Sequence, residues 1–169
     1  MAPMPLIDEV GLPLHESLPL VVGKLNIHNL RDRVRVIASG KLINPANVAW
    51  ALCLGADFCS LARGFMFSLG CIQALQCNKS SCPTGITTHG LKLQRGLDPA
   101  NKAERLASFQ GQIEYEVGII AHSCGVKEPR QLSRFHCRVV QDNGISVPLT
   151  EIYPDRTPAD RQRCQANDN

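Results

Sequence analysis

The sequence predicts an α/β fold that contains the last two strands of a larger sheet, a cysteine loop and a long helix. Residues 34–38 and 58–62 are short and rich in apolar or β-branched side chains, as buried strands are. Between them, Asn44-Pro45 starts a helix and Gly55 ends it, because asparagine caps free amides and glycine permits the terminal turn. Strand, helix and strand with short loops predict a βαβ unit with parallel strands.

The segments next to this unit have helical patterns. Residues 14–29 predict a helix, and Pro19 offers an alternative start at its own position, because proline lacks the amide that an inner turn needs. After the second strand, we expect a helix over residues 64–75 that carries Cys71 into a cysteine loop extending to about residue 93.

The second half of the sequence starts with the longest predicted helix. Asp98-Pro99 repeats the capping pattern, and residues 100–124 have apolar side chains along one side. A short helix at 128–132 and a hairpin around 142–144 follow. From residue 154 onward the chain is polar without apolar periodicity, which predicts disorder.

Two parallel strands do not form a stable sheet alone, because parallel sheets need more strands and a cover on both faces. The pattern therefore predicts the closing end of a larger α/β barrel whose earlier strands are absent from these 169 residues.

The composition excludes several classes of function. The net charge is +3 and the basic residues are scattered, which does not favour nucleic-acid binding. No apolar run is long enough to span a membrane, and no secretory signal is visible at the N-terminus. Eight cysteines without such a signal predict a reducing compartment, the cytoplasm, with metal binding or buried thiols rather than disulfides.

The turns that follow the two strands predict a phosphate site. Ser39-Gly40 follows the first strand, and Ala62-Arg63-Gly64 follows the second. In barrels, phosphate is often bound by the loops after the last two strands together with a helix N-terminus. Glycines after strands are also ordinary turn residues, so each turn alone is weak evidence.

Three cysteines, Cys71, Cys77 and Cys82, follow a C-x5-C-x4-C spacing and lie partly in a polar, turn-rich loop. Three thiolates suit an iron–sulfur cluster that lacks one iron corner, hence 3Fe–4S, since full clusters usually take four cysteines. Zinc, with His89 as a fourth ligand, and an absence of metal remain open alternatives. Cys53 and Cys59 are typical core thiols, and three further cysteines have no partner at ligand spacing: Cys124, Cys137 and Cys164. We find no catalytic carboxylate pair or nucleophile–histidine set.

With these residues in place, the sequence resembles the flavin mononucleotide (FMN) binding domain of glutamate synthases over about residues 2–135. The resemblance lies in RDRVRVIASGK (31–41), AWALCLGAD (49–57), ARGFMF (62–67) and the loop from Cys71 to CPTGITT (82–88). It continues through the helix from Asp98-Pro99 to Phe109. Thr87 stands where alanine is usual in that family.

The resemblance implies a (β/α)8 TIM barrel in which residues 34–38 and 58–62 are the seventh and eighth strands. It implies that the FMN phosphate is held by Ser39, Gly40, Lys41, Ala62, Arg63 and Gly64. It further implies that Cys71, Cys77 and Cys82 ligate a 3Fe–4S cluster, which passes electrons to the flavin. The flavin then reduces 2-iminoglutarate, made from 2-oxoglutarate and ammonia, to L-glutamate.

By this resemblance, residues 1–97 are the end of the FMN barrel with the iron–sulfur loop at 71–93, residues 98–152 a helical extension, and 153–169 a disordered tail. The first six strands and the family's Gly-Gly-Thr-Gly-Ala-type loop are missing, so we expect no activity from this chain alone. The implied partners are an electron donor, either ferredoxin or a nucleotide-linked subunit, and a glutaminase domain or subunit. A small metal-binding or electron-transfer module without flavin chemistry, and a non-functional relic, are the alternatives.

Overall fold

The computed structural model describes residues 10–160 as a mixture of helices and short strands. The helices are α1 (Leu14–Ile27), α2 (Pro45–Cys53), α3 (Ala62–Ser68), α4 (Leu91–Gln94), α5 (Pro99–Ser123) and α6 (Leu149–Ile152). The strands are β1 (Ile37–Ser39), β2 (Phe58–Ser60), β3 (Arg138–Val140) and β4 (Ser146–Pro148). Single 3-10 turns lie at Arg31–Arg33, Cys77–Lys79, Pro129–Gln131, Arg134–His136 and Pro158–Asp160.

β1 and β2 form the predicted parallel pair, with α2 as the connection between them. Ile37 lies opposite Phe58, and Ser39 lies opposite Ser60. The Asn44 side chain accepts a hydrogen bond from the Asn47 amide at 2.9 Å, which caps α2 as predicted. Each strand has three residues rather than the five predicted, because the chain turns into a left-handed conformation directly after β1 and into α3 soon after β2.

The core lies between this sheet and the two helices α2 and α5. Ala38 of β1 and Leu54, which follows α2, are almost completely buried, and Val117 of α5 packs into the same cluster. The other face of the strands is open among the described residues, since Ile37 and Phe58 are 66% and 47% exposed. Parallel strands are normally covered on both faces. The α/β class is therefore confirmed for this pair, and closure into an eight-stranded barrel stays a prediction.

α1 begins at Leu14, as the predicted range 14–29 has it, and it includes Pro19, so the alternative start at Pro19 is wrong. The amides of Glu16 and Ser17 both donate to the Pro13 carbonyl, which forms the first turn ahead of the proline. Pro19 is buried within the helix. Burial on the core side therefore outweighs the loss of one helical hydrogen bond.

α3 ends at Ser68, so the predicted helix over residues 64–75 does not reach Cys71. Gly70 has a φ of +97°, and its amide donates to the Phe67 carbonyl while the Cys71 amide donates to the Met66 carbonyl. This pair of bonds is the Schellman arrangement that ends a helix at a left-handed glycine. Cys71 consequently lies in the loop just after the helix.

The C-terminal half follows the predicted order. α5 is capped by the Asp98 side chain, which accepts a hydrogen bond from the Ala100 amide, and it ends one residue before Cys124. β3 and β4 form the predicted antiparallel hairpin. Within residues 10–160, no helix is both long and apolar enough to cross a membrane.

The segment after α6 makes defined contacts where disorder was predicted. The guanidinium of Arg134, which is 4% exposed, donates to the backbone carbonyls of Tyr153 and Pro154 at 2.9 and 3.0 Å and pairs with Asp155. The turn at Pro158–Asp160 packs near α1. Residues 161–169 lie outside the described residues, and the division of the chain into three segments stays a prediction.

Candidate functional site

The turn after β1 has a backbone shape that suits the binding of an anion. Gly40 has a φ of +150° and Lys41 a φ of +54°, so the chain bends sharply at these two residues. A side chain at Gly40 would come within 3.4 Å of the Leu14 Cβ atom, which places this turn against the start of α1. Glycine is therefore required for conformation and is favoured by close packing.

The turn after β2 forms the first turn of α3. Ala62, Arg63 and Gly64 are the first three residues of this helix, and the first bond within it runs from the Phe65 amide to the Leu61 carbonyl at 3.0 Å. The amides of a first helical turn have no acceptor within the helix, so they are available to an anion. α3 has only seven residues, so its dipole adds little.

Both turns meet at one cavity of about 730 Å³. Its wall contains Ser39, Gly40, Lys41 and Arg63, which the sequence predicted as phosphate-binding residues. Two basic side chains, a hydroxyl and a sharp backbone bend can bind a phosphate group, and the volume is in the range of cofactor pockets. The donor set present here therefore fits the phosphate end of FMN.

The remaining two predicted residues are not part of the cavity wall. Ala62 is exposed beside it. Gly64 is buried, and a Cβ atom there would lie 2.7 Å from Cζ of Phe109 in α5. The glycine at this position is thus explained by packing between α3 and α5.

The cavity also contains residues that the sequence did not point to. Its wall is completed by the start of α1 and one side of α2, including His15, Asn47 and Trp50. These side chains come from helices that precede and connect the two strands. Only the three-dimensional packing places them beside the turns, so no spacing in the sequence could have found them.

Cys82 has the surroundings of a thiolate. Its Sγ atom lies 3.2 Å from the Thr84 hydroxyl oxygen, and backbone amides at Thr84, Ile86 and Thr87 also point toward it. The hydrogen bond from Thr84, followed by the bonds from these amides, lowers the pKa of Cys82 to about 6. The thiolate is the form that binds metal, so Cys82 fits a ligand role.

Cys71 and Cys77 are half-buried and do not gather around Cys82. In the part of the chain that the structure describes, no three cysteine, histidine or carboxylate side chains are close enough to hold a metal ion. Gln73, Leu75 and Ser80 between them have positive φ values, and the Ile72 and Leu75 side chains are exposed. The chemistry of the three thiols suits a cluster, but the loop as it stands does not bring them together. The same finding places His89 outside any such group, so it gives zinc no support.

A match to a known protein family shows which family this chain belongs to. Residues 1–127 match the family described as a conserved region in glutamate synthase, which is three quarters of the chain. The chain belongs to the glutamate synthase family. The match includes both turns at the cavity and all three loop cysteines.

Several glutamate synthases are similar to this chain and agree with this assignment. The glutamate synthase large subunit-like protein YerD of Bacillus subtilis is 39% identical over 147 residues, covering 87% of this chain and 28% of that protein. The archaeal-type glutamate synthase (NADPH) of Dehalococcoides mccartyi is 30% identical over 153 residues, covering 89% and 30%. The archaeal glutamate synthase (NADPH) of Methanocaldococcus jannaschii is 30% identical over 131 residues, covering 78% and 26%. The chain thus spans less than a third of the length of these relatives.

Proposed function

We propose that this chain supplies the FMN phosphate site and the iron–sulfur loop of a glutamate synthase-type oxidoreductase. The observation that carries the proposal is the meeting of the two strand-end turns at one basic cavity, with Ser39, Gly40, Lys41 and Arg63 in its wall. Membership of the glutamate synthase family supports the identity of the cofactor. Because the chain spans less than a third of its named relatives, the reaction of a whole enzyme enters here as part of the proposal.

The residues at the cavity have distinct roles in this proposal. Arg63 presents a guanidinium that can pair with two phosphate oxygens, whereas Lys41 provides a point charge. Ser39 donates its hydroxyl hydrogen, and the bent backbone at Gly40, which carries no side chain, lets the ligand approach closely. Ala62 and Gly64 contribute through the first-turn amides of α3 rather than through side chains.

The loop cysteines Cys71, Cys77 and Cys82 are proposed as the ligands of a 3Fe–4S cluster. Cys82 is the residue best prepared for this role, because a hydroxyl and several amides already stabilise its thiolate. When bound, the cluster and the flavin supply the electrons for the reduction of 2-iminoglutarate to L-glutamate. The open face of β1 and β2 supports a requirement for further strands, so the chain alone is proposed to be inactive.

The full enzyme in this proposal also needs an electron donor and a source of ammonia. Ferredoxin or a nucleotide-linked subunit would serve as the donor, and a glutaminase domain or subunit would release ammonia for addition to 2-oxoglutarate. The relatives from Dehalococcoides mccartyi and Methanocaldococcus jannaschii are named as NADPH glutamate synthases, which favours a nucleotide-linked donor.

The phosphate site is tested by nuclear magnetic resonance titration of the 15N-labelled chain. FMN, riboflavin and inorganic phosphate are added in separate titrations, since riboflavin lacks the phosphate group. We expect FMN and phosphate to shift the amide signals of Ser39, Gly40, Lys41 and Arg63, and riboflavin to leave them unchanged. Equal shifts with riboflavin, or shifts confined to another surface, would contradict the proposal.

A matched pair of arginine variants separates a specific site from general charge. Arg63→Ala removes the guanidinium at the cavity, whereas Arg33→Ala removes an exposed arginine that is not part of its wall. Both variants lower the net charge by one. Weaker phosphate binding in Arg63→Ala alone supports the site, and an equal loss in both would mean nonspecific attraction.

The cluster and the inactivity are tested on the purified chain. After anaerobic addition of iron and sulfide, we expect about three irons per chain and the electron paramagnetic resonance signal of an oxidised 3Fe–4S cluster. Cys82→Ser should remove that signal, whereas Cys59→Ser, a core position, should keep it. Glutamate formation by the chain with FMN and reduced methyl viologen would contradict the predicted inactivity.

A further inference from the structure

The second half of the cysteine loop is a tight hairpin. Ser81 and Thr88 form an antiparallel bridge, and the Thr88 hydroxyl donates a hydrogen bond to the Ser80 carbonyl at 2.7 Å. The Gly85 amide donates to the Cys82 carbonyl at 3.3 Å, which closes the turn between the two arms. These bonds fix the positions of the two arms relative to each other.

The bridge places Thr87 opposite Cys82. In an antiparallel pair, the residue that follows one bridge partner lies opposite the residue that precedes the other. Opposite residues have Cβ atoms about 4.5–5.5 Å apart, and their side chains leave the hairpin on the same side. Thr87 therefore faces, across the hairpin, a cysteine that is proposed as a cluster ligand.

The Thr87 hydroxyl is a buried donor that has no acceptor. Its oxygen is almost inaccessible to solvent and has no hydrogen-bond partner among residues 10–160. The large majority of buried polar side-chain atoms have a partner, because an unpaired one costs free energy. Nη2 of Arg134 is the other such atom in this part of the chain, but that guanidinium already donates to two carbonyls through Nη1. The Thr87 hydroxyl has no such bond, so it requires an explanation of its own.

The position of this hydroxyl indicates the chemistry of its acceptor. Cys82 is 8% exposed, and its sulfur already contacts the Thr84 hydroxyl at 3.2 Å. A group bound to the Cys82 sulfur would lie on the side of the hairpin that Thr87 shares. The sulfurs of an iron–sulfur cluster are negatively charged acceptors, and hydrogen bonds to them help to set the reduction potential of the cluster.

We propose that the Thr87 hydroxyl donates a hydrogen bond to a sulfur atom of the cluster held by Cys82 and so raises the reduction potential of that cluster. The inference rests on the proposed function, because it requires a cluster at the loop. Reduction adds one negative charge to the cluster, and a hydrogen-bond donor stabilises the more negative state. Removal of the hydroxyl therefore makes the cluster harder to reduce.

Two substitutions separate the hydroxyl from the shape of the side chain. Thr87→Val keeps the branched shape without the hydroxyl, whereas Thr87→Ser keeps the hydroxyl. In the cluster-free chain, Thr87→Val should raise the melting temperature by about 2–4 °C, because a methyl group replaces an unpaired buried hydroxyl. A lower melting temperature would mean that the hydroxyl has an acceptor within the chain, which would overturn the proposal.

The deciding experiment is a redox titration of the chain reconstituted with iron and sulfide, followed by the electron paramagnetic resonance signal of the oxidised 3Fe–4S cluster. At the same applied potential, Thr87→Val should lower the ratio of reduced to oxidised cluster about threefold to tenfold, which is a shift of about 30–60 mV. Thr87→Ser should keep this ratio within about twofold of the wild type. Thr150→Val, which removes a hydroxyl from α6, should do the same.

The outcomes distinguish this inference from the proposed function. Equal potentials in the wild type and Thr87→Val would overturn the inference and leave the proposed cluster intact. A wild-type chain that assembles no cluster would overturn both. Equal shifts in Thr87→Val and Thr150→Val would mean a general effect on the fold and would also overturn the inference.

Discussion

Gly64→Ala tests whether packing, rather than phosphate binding, requires a glycine at the start of α3. An added Cβ atom would lie 2.7 Å from Cζ and 3.2 Å from Cε1 of Phe109. Nonbonded carbons normally stay about 3.5–4.0 Å apart, so the ring of Phe109 must retreat by about 1 Å. That ring also stacks edge-to-face on Phe65, with centroids 5.2 Å apart, so its retreat disturbs a second contact.

The magnitude follows from two opposing effects. Overpacking of this kind costs about 1–3 kcal/mol, whereas exchanging glycine for alanine in a helix gains up to about 1 kcal/mol. The net loss in the free energy of unfolding should be about 1–2 kcal/mol. For a chain of this size, that corresponds to a fall of about 2–8 °C in the melting temperature.

The assay is thermal unfolding followed by circular dichroism, with Gly111→Ala as the matched control. Gly111 is an exposed glycine in α5, and no atom lies within 4 Å of a Cβ built there. Gly111→Ala should therefore raise the stability by about 0.5–1 kcal/mol. In a Phe109→Ala background, Gly64→Ala should become neutral or stabilising because the obstructing ring is gone.

Two results would refute this reasoning. One is an equal rise in stability for both glycine variants, which would mean that no close contact exists. The other is a loss in Gly64→Ala that persists unchanged in the Phe109→Ala background.

The remaining predictions concern three other polar contacts. Asp57→Asn should lower stability by about 1–3 kcal/mol at pH 7. The Asp57 carboxylate pairs with Arg31 at 2.9 Å and accepts a hydrogen bond from the Val36 backbone amide. Burial raises the pKa of Asp57, but these partners outweigh burial, so the net pKa is lowered. The wild-type chain should therefore be more stable than Asp57→Asn in urea unfolding at neutral pH. This difference in stability should vanish as the pH falls well below about 4, where the carboxylate is protonated. Arg134→Leu should expose the segment after α6 to limited proteolysis before the rest of the chain, because its bonds to two carbonyls in that segment are lost. Thr84→Val should raise the pKa of Cys82 above its value of about 6, as measured by ultraviolet titration of the thiolate. In the wild-type chain, the stability that the thiolate contributes should be lost as the pH falls through about 6.

Local signals explain what could be read from the sequence. The caps at Asn44 and Asp98 were predictable because a capping side chain bonds to amides two or three residues away. The parallel pairing of β1 and β2 followed from the strand–helix–strand order, and it brought the two turns to one edge. Four of the six predicted phosphate residues therefore lie in the wall of one cavity.

Errors arose where a local pattern competed with a stronger stop signal. The apolar residues Ile72 and Leu75 seemed to continue α3, but the left-handed turn at Gly70 ends the helix and leaves both side chains exposed. Pro19 offers an alternative helix start in the sequence, but α1 begins at Leu14 and includes this proline, which is buried there.

Long-range packing accounts for what the sequence could not indicate. Cys53 and Cys137 belong to one apolar cluster because α2 packs against the segment before β3, and no spacing in the chain encodes this. The same holds for His15 and Trp50 in the cavity wall.

The most direct test of the central claim is flavin retention by a chimera. The matching segment of the Dehalococcoides mccartyi relative would be replaced by this chain, so that the remaining length of the protein is supplied. The account predicts that the purified chimera keeps FMN through desalting, and that Arg63→Ala, but not Arg33→Ala, releases it. A folded chimera without flavin, or one whose flavin is unaffected by Arg63→Ala, would contradict the claim that this chain holds the FMN phosphate.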